Sequence, residues 1–376
     1  MTIFINNRIT KENGNGIYIL DLINKLNLNS VKIISLKLEP INKKYKAFTI
    51  KNEIKSKNFY LRKIIELCFM TFLILKNIKE LKNETIVLTS NPPVLGFILI
   101  LLKKISKFNL IFWCQDIFPD TLIVSNILKS KNILFYLLKL INKFIYNNVD
   151  KIVIISNSMK KTLIKDYRVD NNKIIVIENW NLLNLKNKNI IKKKNITNNH
   201  KINIFYNGNI SPAHDKEFAI DFIKQIKNKD LNFKIFSNSQ NINKKFDKKL
   251  FNKGFLNNNS FHRCLLKSDF QMIFSKPNAL KYIYPSKTYN ILYYKKPIIY
   301  FNKNDNDEIV KFLKKYKIGV NINNKNKKKF VNLFSDTKKI RFLIKSYKSN
   351  FKKLNFLEQK KNISISKWKD MLKCAE

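Results

Sequence analysis

The sequence predicts an α/β protein made of two doubly wound halves, and three observations carry that expectation. Short β-branched and aromatic runs alternate with helix-periodic stretches, the pattern of strands joined by crossover helices in a parallel sheet. The alternation starts twice. A polar, basic stretch without sustained periodicity separates the two rounds. At 376 residues the chain is also longer than one ordinary core supports, which favours two domains of roughly 150–200 residues.

In chain order, "GNG" (14–16) opens the helix-like "IYILDLINKL". "TIVLT" (85–89) leads through "SNPP" into "VLGFILILLKKI", and "NLIFWCQD" (109–116) reads as a buried strand. A proline-containing loop and the helix-like "NILFYLLKLINKFIY" follow. "DKIVIIS" (150–156) is the next strand, then the helix "NSMKKTLIKDY" with Ser156 or Asn157 as its cap, then the strand "KIIVIEN". The second round begins at "KINIFYNG" (201–208). It continues with the helix "DKEFAIDFIKQIKNK", the strands "NFKIFSN" and "DFQMIFS", the helix "PSKTYNILYYKK", the strand "PIIYFN" and the helix "DEIVKFLKKYK". The expected organisation is a domain over 1–183, a linker over 184–200, a second domain over 201–345 and a helical segment over 346–376.

The formal charge of +47 points to a polyanionic partner or to lysines drifting across solvated faces. Zinc-finger spacing, an RNP-type aromatic motif and a basic heptad region are all missing, which argues against nucleic acid. An anionic membrane face is the better-matched partner. Cys68, Cys114, Cys264 and Cys374 lack C-x-x-C spacing. Cys68 and Cys114 lie in apolar runs and are expected to be buried thiols. "CFMTFLIL" and "VLGFILILL" are too short to span a bilayer, and no signal-peptide h-region opens the chain. The expectation is a cytoplasmic protein resting on the cytoplasmic membrane face.

In doubly wound sheets, ligands lie beyond the carboxyl ends of the strands, so the loops there carry the candidate chemistry. In "YNGNISPAHD", Gly208 can bring backbone close to a ligand, and His214 and Asp215 fall at a helix start. The competing reading makes Asp215 a plain N-cap and His214 a surface residue. In "YPSKTYNIL", Pro285 suits a first helical turn, and Ser286, Lys287 and Asn290 share one face. A lysine there meets the positive end of the helix, and an anion between them removes the conflict; the competing reading is one more exposed lysine in a lysine-rich chain. Gln115, Asp116 and Asp120 in "FWCQDIFPD" offer carboxylates that can orient or deprotonate a hydroxyl, or else cap their loops. "DND" (305–307) fits a helix cap better than a metal motif. No G-x-G-x-x-G, P-loop or G-x-S-x-G motif occurs, and with three histidines no metal site is expected.

Taken in order, "TSNPP", "FWCQDIFPD", "DKIVIISNSMKKTL", "KIIVIENW", "FYNGNISPAHD" and "IFSKPNALKYIYPSKTYNILYYKKPIIYF" resemble the retaining GT-B glycosyltransferases that build bacterial surface polysaccharides. The similarity is to the Pro-Ser-Lys subgroup containing fucosamine-type transferases, and it covers about 85–325. It implies two Rossmann-like domains facing a cleft, with carboxy-terminal helices packing back across them. The nucleotide-sugar donor, a uridine diphosphate sugar, would lie on the second domain, and a lipid-linked or oligosaccharide acceptor on the first. By the same resemblance Gly208, Asn209, His214, Asp215, Lys276, Pro285, Ser286, Lys287 and Asn290 bind the donor. Asp116 and Lys287 act in catalysis, and Gly14, Asn15, Gly16, Gln115 and Asp120 lie on the acceptor side. No cofactor or metal is implied. Two departures stand out: the family's paired Glu positions fall on Tyr282 and Asn290, and its Ala-Ala-Gly falls on Tyr293, Tyr294 and Lys295. The alternatives are a sugar-nucleotide epimerase of the same fold, which wants more acid–base groups, and a non-catalytic polyanion-binding protein.

Overall fold

The computed structural model describes the chain apart from residues 12, 27–29, 41–44, 51–58, 183–200, 238–249, 254–257 and 374–376. The expected linker at 184–200 and Cys374 lie outside the described residues. The amino-terminal half runs β1 (Thr2–Ile5), β2 (Arg8–Ile9), α1 (Gly14–Lys25), β3 (Val31–Ile34), β4 (Lys37–Leu38), β5 (Tyr45–Phe48), α2 (Phe59–Lys76) and β6 (Thr85–Thr89). It goes on with α3 (Leu95–Lys103), β7 (Asn109–Cys114), α4 (Asp120–Val124), α5 (Ile133–Asn148), β8 (Lys151–Ile154), α6 (Asn157–Tyr167) and β9 (Ile174–Val176).

The second half comprises β10 (Ile202–Asn207), α7 (Lys216–Lys224), β11 (Leu231–Ser237), β12 (Phe251–Lys253), α8 (Asn258–Lys267), β13 (Phe270–Phe274) and α9 (Lys287–Tyr293). It ends with β14 (Ile298–Phe301), α10 (Glu308–Tyr316), β15 (Gly319–Ile322), α11 (Lys327–Phe334), α12 (Thr337–Lys352) and α13 (Phe356–Lys373).

Among the described residues the strands form two large sheets ordered β5-β3-β1-β6-β7-β8-β9 and β12-β11-β10-β13-β14-β15, with a small β2-β4 pair beside the first. Every pairing in both large sheets is parallel. Each sheet starts at a central strand, winds one way, then returns to wind the other. The order therefore reverses between β1 and β6 and again between β10 and β13. Crevices open at such reversals, beyond the strand ends.

The strands are apolar on both faces because helices cover both. In the first sheet Ile3, Ile5, Leu88 and Ile152 face one core, which α2, α3 and α5 close with Met70, Leu99 and Ile145. Phe4, Val87, Trp113 and Val153 face the other, closed by α1 and, from the far end of the chain, by α13. Trp368 of α13 is fully buried with its ring 4.5 Å from that of Trp113, and Trp113 stacks on Trp180. Ser364 adds a hydrogen bond, Oγ to the Glu178 carbonyl at 2.8 Å. The last helix thus returns from the second half to complete the first half's core.

Local expectations mostly hold. Ser156 caps α6 by accepting from Met159 N–H, and Asp307 caps α10 from within "DND". Three differ. The "PSK" helix begins at Lys287 with Ser286 as its cap residue, leaving Pro285 just outside. The helix from Lys216 stops at Lys224, five residues before the predicted run ends at Lys229. Cys68 is exposed, because the apolar run of α2 covers its outer side as well as its inner one. Lys295, on the family's glycine position, ends α9 with φ +53°, the left-handed conformation glycine adopts without strain.

Candidate functional site

Two clusters form at the strand ends, one on each sheet. On the second sheet, β10 ends in Gly208, whose φ of +129° disfavours any side chain. A Cβ there would sit 3.2 Å from Lys287 Nζ, so glycine, the β10 turn and the start of α9 meet at one point. The Lys287 ammonium is buried and has no hydrogen-bond partner among the described residues. It lies over the Tyr206 ring, 3.6 Å from the centroid. Tyr206 is itself held by stacking on Phe274 at 4.3 Å and by donating to the Asn209 carbonyl at 2.8 Å. Burial pulls the Lys287 pKa down to about 7, since desolvation opposes the charged form. The ring face returns part of that cost.

His214 stands beside this lysine. Ser211 donates its N–H to Nδ1 at 2.9 Å, which makes Nδ1 an acceptor and leaves the proton on Nε2. Burial, and secondarily the Lys287 charge, hold the ring pKa down at about 3, so the imidazole is neutral and a donor at Nε2. Asp215 takes the plainer role: it caps α7 by accepting from Phe218 N–H and pairs with Lys303 at 3.1 Å.

On the first sheet a cavity of about 280 Å³ is lined by Asn13, Gly14, Asn15, Ser90, Asn91 and Asp116, among others. Asn13 was not anticipated. It caps α1 by accepting from Asn15 and Gly16 N–H, a role the "N-G-N-G" run could have signalled. Asp116 is half-buried, and desolvation pushes its carboxyl up to about 6. Ser90, Asn91 and Pro93 come from the "SNPP" loop after β6, at the strand-order reversal. The next residue, Val94, holds φ +62°, a strained value for a β-branched side chain.

Residues 276–290 stitch the two clusters together. Ile117 N–H donates to the Tyr282 carbonyl at 2.8 Å, and Asp116 and Ile283 pair as an isolated antiparallel bridge. Lys276 Nζ donates to the Val124 carbonyl at 2.9 Å, and Tyr289 OH to that of Ile155. Asn290 Oδ1 accepts from Leu182 N–H at 3.1 Å. Glu308 closes the far side by accepting from Ser158 N–H and Oγ.

Three residues expected on the acceptor side point elsewhere. The Gln115 amide is locked face to face with the Asn179 amide. The Asp120 carboxylate is buried, accepting from Tyr167 OH with Lys139 at 3.7 Å. Gly16 is a packing glycine, since a Cβ would meet the Arg8 carbonyl at 2.5 Å. A strand-end position predicts proximity to a cleft. It does not predict whether a neighbour inside the domain claims the side chain first.

Two winding reversals facing one another across an interdomain seam, with a terminal helix crossing back, decide the architecture. The fold is GT-B. Residues 13–180 match the family described as Glycosyltransferase Family 4. A probable glycosyltransferase, WbjE of Pseudomonas aeruginosa, is 29% identical over 99 residues, 26% of this chain and 24% of that protein. The chain thus spans about a quarter of the length of the curated relative it matches. Among solved structures, sucrose-phosphate synthase of Thermosynechococcus elongatus aligns over 100% of both chains with TM-score 0.66 and 11% identity. HepE of Anabaena, solved in complex with UDP, aligns over 98% of this chain and 100% of its own, with TM-score 0.64 and 10% identity. Each of these structures is similar in fold.

Proposed function

We propose that the chain is a retaining glycosyltransferase that takes a sugar from a nucleotide diphosphate, with uridine diphosphate as the donor's leaving group. The observation that carries this reading is the buried, unpartnered ammonium of Lys287 against the bare backbone of Gly208. A diphosphate supplies the negative charge this lysine lacks, and the absence of a side chain at Gly208 leaves room for it. The complexes of HepE with UDP and with UDP-glucose support the choice of nucleotide.

Charge builds on the diphosphate as the glycosidic bond breaks. A preorganised cation in a water-poor site stabilises that charge more than it stabilises the intact donor, which lowers the barrier. Lys276, Ser286 and Asn209 border the same loops and complete the donor site. Neutral His214 offers Nε2–H to a sugar hydroxyl. Asp116, with its raised pKa, orients the acceptor hydroxyl from the first-sheet cavity and helps remove its proton. Asn290 keeps amide donors for the ribose although its carbonyl is engaged. The acceptor is a lipid-linked oligosaccharide of surface-polysaccharide synthesis, as the ordered motifs imply. No metal is required where a lysine and backbone dipoles balance the diphosphate.

The test is a panel of nucleotide sugars screened for thermal stabilisation, with hits assayed for transfer to lipid-linked acceptors and the product's anomeric configuration read by NMR. A uridine diphosphate sugar that stabilises the protein and is consumed with retention supports the reading. Stabilisation by none of the panel contradicts it.

A further inference from the structure

Three neighbouring helices of the first domain are apolar on the wrong side. In α2, Met70, Leu73 and Ile74 face the core, while Leu61, Ile64, Cys68, Phe72 and Leu75 recur every three or four residues on the opposite, exposed side. An amphipathic helix shows the reverse pattern. The same holds in α5, where Ile133, Leu137, Leu140 and Phe144 are exposed at that spacing, Ile133 at 78% and Leu140 at 64%. Between them α3 and its end expose Leu101 and Ile105, the latter at 80%, and Phe97 of α3 touches Phe144 of α5 with ring centroids 5.5 Å apart. The rows therefore lie side by side, and such contiguous exposed apolar surface marks an interaction site.

We propose that this face of α2, α3 and α5 docks on an anionic lipid bilayer. Charge selects the occupant. Within the three helices the one carboxylate is Glu66, which is buried and bound by Asn7 and Arg8. Exposed Lys76, Lys104, Lys107, Lys129 and Lys131 follow or precede the apolar rows. An apolar face rimmed with lysines fits the acyl boundary and phosphate headgroups of an anionic leaflet. A second copy of this chain, at +47, would bring like charge to the same rim. Among the described residues no helix is long and apolar enough to cross a membrane, so the helices lie on the surface.

The fold also sets the orientation. Crossover helices run back from the carboxyl ends of their strands, so the first turns of α2, α3 and α5 lie at the sheet edge that bears the Asp116 cavity. Pro93, two residues before α3, lines that cavity. A lipid-anchored acceptor could present its head to Asp116 while its chains stay in the bilayer. Docking itself does not depend on the donor chemistry.

The experiment is vesicle flotation of the full chain without donor, on phosphatidylcholine vesicles with and without phosphatidylglycerol. Binding should need the anionic lipid and weaken at least about tenfold without it. Phe72→Asp with Leu140→Asp should weaken it about tenfold or more, while the unfolding temperature and its rise with UDP stay unchanged. Lys129→Gln with Lys131→Gln should weaken binding several-fold and leave the apolar rows intact. No flotation on anionic vesicles, or flotation indifferent to the Asp pair, overturns the proposal. A dimer that the Asp pair converts to monomer also overturns it, assigning the face to a second copy.

Discussion

The Lys287 ammonium lies 3.6 Å from the centroid of the Tyr206 ring and has no hydrogen-bond acceptor among the described residues. A buried cation without a partner is a cost to the unliganded fold. Lys287→Met should therefore stabilise the unliganded protein, by about 1–3 kcal/mol, while abolishing the stabilisation that UDP gives the native chain. Denaturant melts with and without UDP check both halves. A merely structural lysine would lose stability and leave the ligand response alone.

Gly208→Ala places a methyl group 3.2 Å from Lys287 Nζ and forces an alanine to φ +129°. The strain should cost about 1–3 kcal/mol, and the methyl group should occupy the space proposed for the diphosphate. UDP affinity should fall alongside the unfolding temperature, measured by calorimetry and thermal melts on one preparation.

The depressed pKa of Lys287, about 7, gives a signed pH dependence. The unfolded chain keeps this proton up to roughly pH 10, so between 7 and 10 it binds more protons than the folded protein. Stability of the unliganded protein gains from this group as pH rises across that window. Donor binding works the other way. A diphosphate restores the charge and takes up a proton above pH 7, so affinity should drop toward a limit of about tenfold per pH unit. Titration in buffers of different ionisation enthalpy measures the uptake directly.

As the proposed base, Asp116 should set the acid limb. Its carboxyl is pushed up to about 6 by burial, so kcat/KM should rise as pH climbs through 6 and the base ionises. Asp116→Asn should flatten that limb and lower kcat by about 10²–10⁴-fold, with UDP affinity unchanged. The pH profile distinguishes a base from a residue that only shapes the cavity.

Trp368→Ala tests the returning helix. Its ring is fully buried 4.5 Å from Trp113, so truncation should cost about 3–5 kcal/mol. Because α13 closes the first domain's core, loss of stability should appear in that domain, which hydrogen exchange can localise.

Much of the architecture was legible because buried parallel strands are unbroken apolar runs. "TIVLT", "NLIFWC" and "DFQMIF" announce themselves in this way, and the basic stretch before 201 marks where the winding restarts. The positions of Gly208 at a strand end and Lys287 at a helix start were legible as well. Side-chain commitments were not: nothing local in "FWCQDIFPD" shows that Asn179 will claim Gln115 or Tyr167 will claim Asp120, since both partners come from more than 40 residues away in the sequence. Nor did the run around Cys68 disclose that half its apolar residues face outward. Periodicity identifies a helix that is apolar all round, but the fold decides which side is covered.

The most direct measurement is the affinity of UDP for the native chain and for Lys287→Ala and Lys287→Arg, by isothermal titration below the Lys287 transition. Loss of a charge-assisted contact predicts about 10- to 100-fold weaker binding for alanine, with arginine recovering part of it through retained charge. Equal affinity in all three proteins would contradict the placement of the diphosphate at Lys287.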